Sequence, residues 1–320
     1  MKLQFLQLCR HDLYGGKRNR NMDINNAEIY LKKNEKKLLA GGKSGARVYD
    51  IGGEYVLKQI YRAELGNDEL YEAYRKEAWW YAAGGTGLSC IPEIIDLRST
   101  DEEISILMKR YQAISRREIN RELLEKIMRA LAAVHASEIP PPLKQKQHTA
   151  QPLSQEQIRD SVEGWRTVLD EHPGAFYGAP LERIAGEINR IISWHGSEEA
   201  VLSHGDFHWD NLLTDNQGRI IICDWQGVEA GTASGDLSFF FGRLRGDGIQ
   251  VKEQEVVEAY GRELRRLSGK RVTWEDICGH IRAANVITSF TCWHQYLHGC
   301  DEGRVREILG KMVTDSEGIL

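Results

Sequence analysis

Two short segments with apolar residues at their centres, Ala46-Arg-Val-Tyr-Asp-Ile51 and Glu54-Tyr-Val-Leu-Lys-Gln59, read as strands on either side of Gly52-Gly53. A strand has a side-chain period of two, and a glycine pair accepts the positive φ of a tight turn. The pattern therefore predicts a hairpin closed by a two-residue turn. The period then lengthens. Leu70, Tyr74, Ala78 and Tyr81 recur at spacings of three and four, which predicts a helix over 67–83. Two more strands are expected near 91–97 and 104–110, the second with Ile104, Ile106 and Met108 at alternate positions.

From 119 onward the helical period dominates. Leu123, Ile127, Leu131 and Val134 mark one helix, and 154–170 and 181–195 read as amphipathic segments. Further helical patterns lie near 235–245, 251–267, 273–297 and 301–313. Residues 140–153, with three consecutive prolines at 140–142, read as a loop. A second hairpin is predicted where 211–214 and 219–225 flank Asp215-Asn-Gln-Gly218. The order is a small sheet with one helix, then a helical part with an embedded hairpin. Such a two-part α+β chain is expected to leave a ligand cleft between its parts.

Composition narrows the partners. The 320 residues are 41% hydrophobic and 28% charged, which is ordinary for a soluble globular chain of one large or two modest domains. A net charge of −5 and a pI near 6.1 do not suggest a nucleic-acid groove. No apolar run approaches the ~20 residues of a membrane span, so no membrane partner is expected. The first residues, MKLQFLQLCRHDLYGGKRNRN, have too short an apolar core for a signal peptide, and Met22 is an alternative start. Cys9, Cys90, Cys223, Cys278, Cys292 and Cys300 are scattered without a CxxC pair, which points to a reduced, cytoplasmic protein. Cys292, His294, His298 and Cys300 have a spacing that could hold zinc. They also fit a helix that carries Phe290, Trp293 and Leu297, and that reading is preferred.

The densest chemistry is SHGDFHWDN at 203–211. His204, Asp206, His208 and Asp210 alternate as metal ligands could, but the HxHxDH order of a zinc hydrolase and any clear distant ligands are missing. A packed, hydrogen-bonded loop role suits His204 better, and His208 and Asp210 read as loop or substrate-side residues. Gly41-Gly-Lys-Ser-Gly45 is not a Walker A loop. That motif needs glycine where Leu38 stands, and the stretch enters a hairpin and not a helix. A glycine-rich turn can still bring backbone N–H groups over phosphates, with Ser44 as its candidate cofactor-binding residue. Lys58 ends the apolar run Tyr55-Val-Leu-Lys58, and Glu77 on the following helix is its candidate partner, with Glu72 as the rival. Asn211 follows Asp206 by five residues, and Asp224 ends the apolar run Ile220-Ile-Ile-Cys-Asp224. A carboxylate there is costly to bury without a partner or a metal. The three residues form a pattern of a base in a loop followed by an amide and a carboxylate for Mg²⁺.

His204-Gly-Asp206…Asn211, Asp224-Trp225 and Gly235-Asp236-Leu237 together resemble the aminoglycoside phosphotransferase and choline kinase-like family, relatives of the protein kinases. Lys58, Glu77 and the helix end Leu131-Ala-Ala-Val-His135 match in kind and order, and the resemblance runs from about 37 to 300. It implies an α+β, bilobal protein-kinase-like fold. A tail over 1–28 would precede a small antiparallel-sheet N-lobe over 29–109 and a mainly helical C-lobe over 110–320. It also implies transfer of the γ-phosphate of ATP, with Mg²⁺, to a hydroxyl of a small molecule. Asp206 would take or orient the proton of that hydroxyl. Asn211 and Asp224 would hold Mg²⁺, Lys58 would meet the α- and β-phosphates, and Glu77 would hold Lys58. Met108 and Arg110, in the segment 108–111, would meet adenine through backbone groups. Gly205 stands where protein kinases typically carry arginine, and no APE-like segment is present, so a protein substrate is disfavoured.

Aminoglycosides, amino alcohols, sugars and homoserine all remain open as acceptors. Asp210, Glu229, Asp236, Asp301 and Glu302 are candidate attractors of an amine, and Trp209, Trp225, Trp293 and Tyr296 are candidate stacking surfaces. Core packing is the commoner fate of such aromatics. The alternative to a kinase is a non-catalytic, kinase-like nucleotide-binding protein.

Overall fold

The computed structural model describes residues 36–41, 45–144, 151–173 and 178–319, so the tail over 1–28 and Ser44 lie outside the described residues. The chain forms two compact units. One comprises Met1–Val134 with His204–Asp206 and Asp210–Val228; the other comprises His135–Ser203 with Phe207–Trp209 and Glu229–Leu320.

In the first unit lies a five-stranded sheet: β1 (Lys36–Gly41), β2 (Arg47–Ile51), β3 (Tyr55–Tyr61), β4 (Ile94–Ser99) and β5 (Glu103–Lys109). The order is β1-β2-β3-β5-β4 and every neighbouring pair is antiparallel. The β2–β3 hairpin forms where expected, but Ile51 faces Tyr55, so Glu54 joins the two glycines in the connection. Gly52 and Gly53 have φ of 61° and 77°, and the Gly53 N–H donates to Asp50 Oδ1 at 2.7 Å. That side-chain bond sets the wider turn. Ile51, Leu57 and Leu107 form a small buried core against which Tyr49, Tyr55 and Ile95 pack.

Helix α1 (Asp68–Ala82) starts at Asn67, whose side chain accepts the Leu70 N–H at 2.8 Å. Its inner face carries Tyr71, Tyr74, Glu77, Ala78, Trp80 and Tyr81. Leu70, expected on that face, is only partly buried because Tyr71 takes its place. Helix α2 (Arg121–His135) follows. The second predicted hairpin appears as β8 (Leu212–Thr214) and β9 (Ile220–Ile222), with β6 (Gln112–Ala113) added to its edge.

In the second unit lie α3 (Gln155–Glu171), α4 (Gly178–His195), α5 (Ala233–Gly246), α6 (Glu253–Ser268), α7 (Trp274–Thr291) and α8 (Glu302–Glu317). A short pair, β7 (Val201–Ser203) with β10 (Glu229–Gly231), joins them. The helix expected over 273–297 stops at Thr291, and Trp293–Tyr296 forms a separate 3₁₀ turn. The four residues weighed for zinc are consequently dispersed. His294 bonds the Thr291 carbonyl, His298 bonds Glu171, and the Cys300 thiol points to the Tyr296 carbonyl. They do not form a metal-binding group among the described residues. Among those residues too, no helix is long and apolar enough to cross a membrane.

The core of this unit gathers Trp165, Ile184, Ile188, Phe290, Leu309 and Met312. Trp165 is fully buried, and its indole N–H lies 3.2 Å from the carbonyls of both Ser289 and Phe290. Trp165→Ala leaves a large cavity and an unmet acceptor, so it is expected to cost about 3–5 kcal/mol in a denaturant titration of the intact chain. A loss below ~1 kcal/mol would mean that this helix contact does not organise the unit.

Candidate active site

Lys58 faces inward from the middle of β3, on a sheet position that is 8% exposed. A lysine so buried needs compensating charge. Its ammonium lies 2.8 Å from Glu77 Oε2 and 2.7 Å from Asp224 Oδ1, and 4.9 Å from the centre of the Tyr74 ring. Glu77, and not Glu72, is the partner; Glu72 pairs instead with Arg75. The helical phase explains this choice. Glu77 falls between Tyr74 and Tyr81 on the buried face of α1, whereas Glu72 does not.

Burial opposes charge on Lys58, but Glu77 and Asp224 outweigh it and hold the ammonium above its ordinary range. Burial pushes the Glu77 carboxyl up, and Lys58 pulls it back only in part. Asp224 resists burial because Lys58 lies beside it and both Lys58 and Gln226 donate to it, so it is held below the usual carboxylate range. Two carboxylates share one ammonium, which leaves the group with excess negative charge and suits it to a further cation.

Asp224 has φ 65° and ψ 61°, a left-handed conformation that aspartate tolerates better than most residues. The turn it begins packs on α1 through Trp225, which stacks on Trp80 with ring centres 5.0 Å apart. The Trp225 indole N–H donates to Ile222 O at 2.7 Å.

Asp206 and Asn211 form the other half of the site. The Asn211 Nδ2 group donates to Asp206 O at 2.9 Å and to Asp206 Oδ2 at 3.1 Å. Both amide hydrogens are thus directed to Asp206, and Oδ1 is the atom Asn211 can offer a cation. His204 braces the loop. Its Nε2–H donates to Cys223 O at 3.0 Å, and its Nδ1 accepts the Asp206 N–H at 3.3 Å, which fixes the tautomer. The ring is fully buried and lies edge-on to Trp225 at 4.6 Å. His204 thus ties Asp206 to Cys223, the residue preceding Asp224, in a packed, hydrogen-bonded loop position. His208 is buried too, edge-on to Phe239 at 5.7 Å.

Gly205 has a structural reason beyond the one its sequence position suggested. Its φ is 75°, and a Cβ there would lie 2.3 Å from Gly227 O. A Cβ on Gly227 would in turn meet His204 O at 2.8 Å. The loops carrying Asp206 and Asp224 therefore touch backbone to backbone, and any side chain forces them apart. Gly205→Ala is expected to reduce turnover at least ~10-fold and to lower the melting temperature. Unchanged kinetics would show that the spacing of these loops is not critical.

The remaining candidates lie apart from this cluster. Met108 is buried on β5, opposite Val56 and Ile94. Arg110 directs its N–H to Glu54 O at 2.8 Å and its guanidinium to Asp50. Gln226, Gly227 and Tyr74 join the site without having been singled out in the sequence. Gln226 and Gly227 follow Asp224-Trp225 directly, which was the available signal.

Of the residues weighed for an amine-binding pocket, Asp236 is instead buried and bonded to His135, which also meets the Tyr260 hydroxyl. Asp301 caps α8, and Glu302 pairs with Arg306. Trp209 and Trp225 are core residues, whereas Tyr296 is 71% exposed.

A model of a family described as "Phosphotransferase enzyme family" matches residues 37–271. No curated protein matches the chain by sequence. Several solved structures share its fold at low identity. An ADP-bound aminoglycoside phosphotransferase is 14% identical, with a TM-score of 0.52 over 93% of this chain and 100% of that one. A spectinomycin phosphotransferase in complex with ADP and spectinomycin is 14% identical, with a TM-score of 0.56 over 93% and 95%. A third, in complex with GDP and kanamycin, is 12% identical, with a TM-score of 0.55 over 89% and 94%. The α+β architecture is thus that of the kinase-like phosphotransferases.

Proposed function

The chain belongs to the phosphotransferase enzyme family, and from that premise we propose that it moves the γ-phosphate of ATP to a hydroxyl of a small molecule. The observation that carries this reading is Lys58, fixed between Glu77 and Asp224, together with Asn211 bonded to Asp206. Phosphoryl transfer asks little covalent chemistry of a protein. It asks for positioning and for cations held where charge develops.

The donor set fits Mg²⁺. Asn211 Oδ1 and the Asp224 carboxylate are hard oxygen donors, and the excess negative charge around Lys58 favours a divalent cation. When bound, Mg²⁺ would neutralise charge on the ATP phosphates. Lys58 would turn its ammonium to the α- and β-phosphates while Glu77 keeps its stem in place. Asp206, positioned by Asn211 and His204, would orient the acceptor hydroxyl and take its proton. The segment 108–111 would meet adenine. There the Lys109 and Arg110 N–H groups are already directed to Glu93 and Glu54, which leaves the Tyr111 backbone as the candidate donor. ADP in two of the similar structures supports a nucleotide site, and spectinomycin in one of these and kanamycin in the third support a small-molecule acceptor. The engagement of Asp236, Asp301 and Glu302 elsewhere weakens the case for a strongly cationic acceptor.

The test is ADP release from ATP and Mg²⁺ across a panel of aminoglycosides, amino alcohols, sugars and homoserine, with GTP run in parallel. Acceptor-dependent release is expected for one class. Tight ATP binding with silence across the panel would favour the non-catalytic nucleotide-binding reading.

A further inference from the structure

The second unit holds a group of side chains that the phosphoryl-transfer site does not use. His195 is the last residue of α4, Glu198 lies in the turn that follows, and His280 comes from the first half of α7. One ligand atom from each falls within 4.8 Å of the others, and all three side chains are half-buried. It is the group of this kind among the described residues.

Several features suit the group to a cation. His195 is half-buried at the end of α4, and its ring centre lies 6.3 Å from that of His280. Glu198 is held in place by Ser234, whose N–H donates to Oε1 at 3.1 Å and whose hydroxyl donates to Oε2. The Thr232 hydroxyl lies 3.3 Å from His195 Nε2 and the Ser234 hydroxyl 3.4 Å from Nδ1. One of these two bonds would remain to orient the ring, and the nitrogen of the other would turn to the metal. The His280 ring stacks on Trp194 at 4.5 Å and 18°, which fixes its plane. Among the described residues, Nδ1 of His280 is buried and has no hydrogen-bond partner, which is the state of a nitrogen open to a cation.

From this geometry we infer that His195, Glu198 and His280 bind a zinc ion that ties the end of α4 and the turn after it to α7. Two imidazoles and one carboxylate form a borderline donor set that suits Zn²⁺, whereas Mg²⁺ and Ca²⁺ prefer all-oxygen ligands. Tetrahedral ligands on ~2.1 Å bonds stand ~3.4 Å apart, so the group contracts modestly on binding, which half-buried side chains permit. Three protein ligands leave one position for water. The inference is independent of the kinase reading, because none of its residues belongs to the Lys58 and Asp206 cluster.

The test uses the full chain, stripped with a chelator and titrated with Zn²⁺ and with Co²⁺ as a spectroscopic probe. Saturation at a single equivalent is expected. The Co²⁺ spectrum should show visible bands without the thiolate charge-transfer band that binding by Cys292 or Cys300 would give. Zinc at ~100 times its Kd should raise the melting temperature by roughly 5 °C. His280→Asn and Glu198→Gln should each abolish the saturable site, while Asp224→Ala should retain it. No saturable binding to the wild-type chain, or equal binding by both ligand variants, would overturn the inference. Because the cobalt spectrum is read on the wild-type chain, misfolding of a variant would not mask the answer.

Discussion

Replacing Asp206 by asparagine is expected to lower turnover by ~10²–10⁴-fold and to leave the affinity for ATP nearly unchanged. Asparagine has the same shape, and its Oδ1 can still accept the hydrogen that Asn211 Nδ2 gives Asp206 Oδ2 at 3.1 Å. The backbone bonds from Asn211 and to His204 do not depend on the side chain. The loop should therefore hold its form, and the variant loses only the charge and the proton acceptor. A fall in kcat with little change in KM for ATP is the signature to look for. Unchanged turnover would remove Asp206 from the proton-accepting role.

The second large effect is expected at Asp224. Asp224→Ala should abolish the Mg²⁺-dependent engagement of nucleotide, because it removes a hard oxygen donor of the proposed metal site. A ligand at ~100 times its Kd adds about 2.7 kcal/mol of stability, so the wild-type chain should melt higher with ATP and Mg²⁺ together than with either alone. The variant should not. Alanine also carries a strain at φ 65° that aspartate tolerates better, which makes Asp224→Asn the useful second variant. Asparagine accepts the left-handed conformation and loses only the charge. Lys58 keeps Glu77 in both variants, so the buried ammonium is not left unpaired. Mg²⁺-sensitive ATP binding retained by both would contradict the metal assignment.

The cluster proposed for phosphoryl transfer was legible in the sequence where its chemistry is local. Asp206 and Asn211 share one loop, and Asp224 closes the hairpin behind it, so spacing alone grouped them. Lys58 and Glu77 are separated by a turn and most of a helix, and sequence left Glu72 as a rival. The helical phase of Tyr74, Ala78 and Tyr81 already favoured Glu77, because a charge on that face must be paired. Other features had no local signal. The left-handed backbone of Asp224 and the contact of Gly205 with Gly227 are set by how two loops meet. Strands β7 and β10 have three residues each, too few for a period to show. Asp236 was read as an attractor of amines because a sequence does not reveal that His135 is its partner. Asp301 was read the same way, although its place just before a helix is what an N-cap requires. His195 and Glu198 lie far along the chain from His280, and only the packing of α4 beside α7 brings them together.

The most direct test of the account follows the phosphorus itself. Phosphorus NMR of the wild-type chain with ATP, Mg²⁺ and the active acceptor should show γ-phosphate lost from ATP and a phosphomonoester resonance growing with ADP. Omitting Mg²⁺ or substituting Asp206→Asn should stop that growth. Release of inorganic phosphate without a phosphomonoester, or undiminished product from Asp206→Asn, would contradict the assignment of this cluster as a centre for phosphoryl transfer to a hydroxyl.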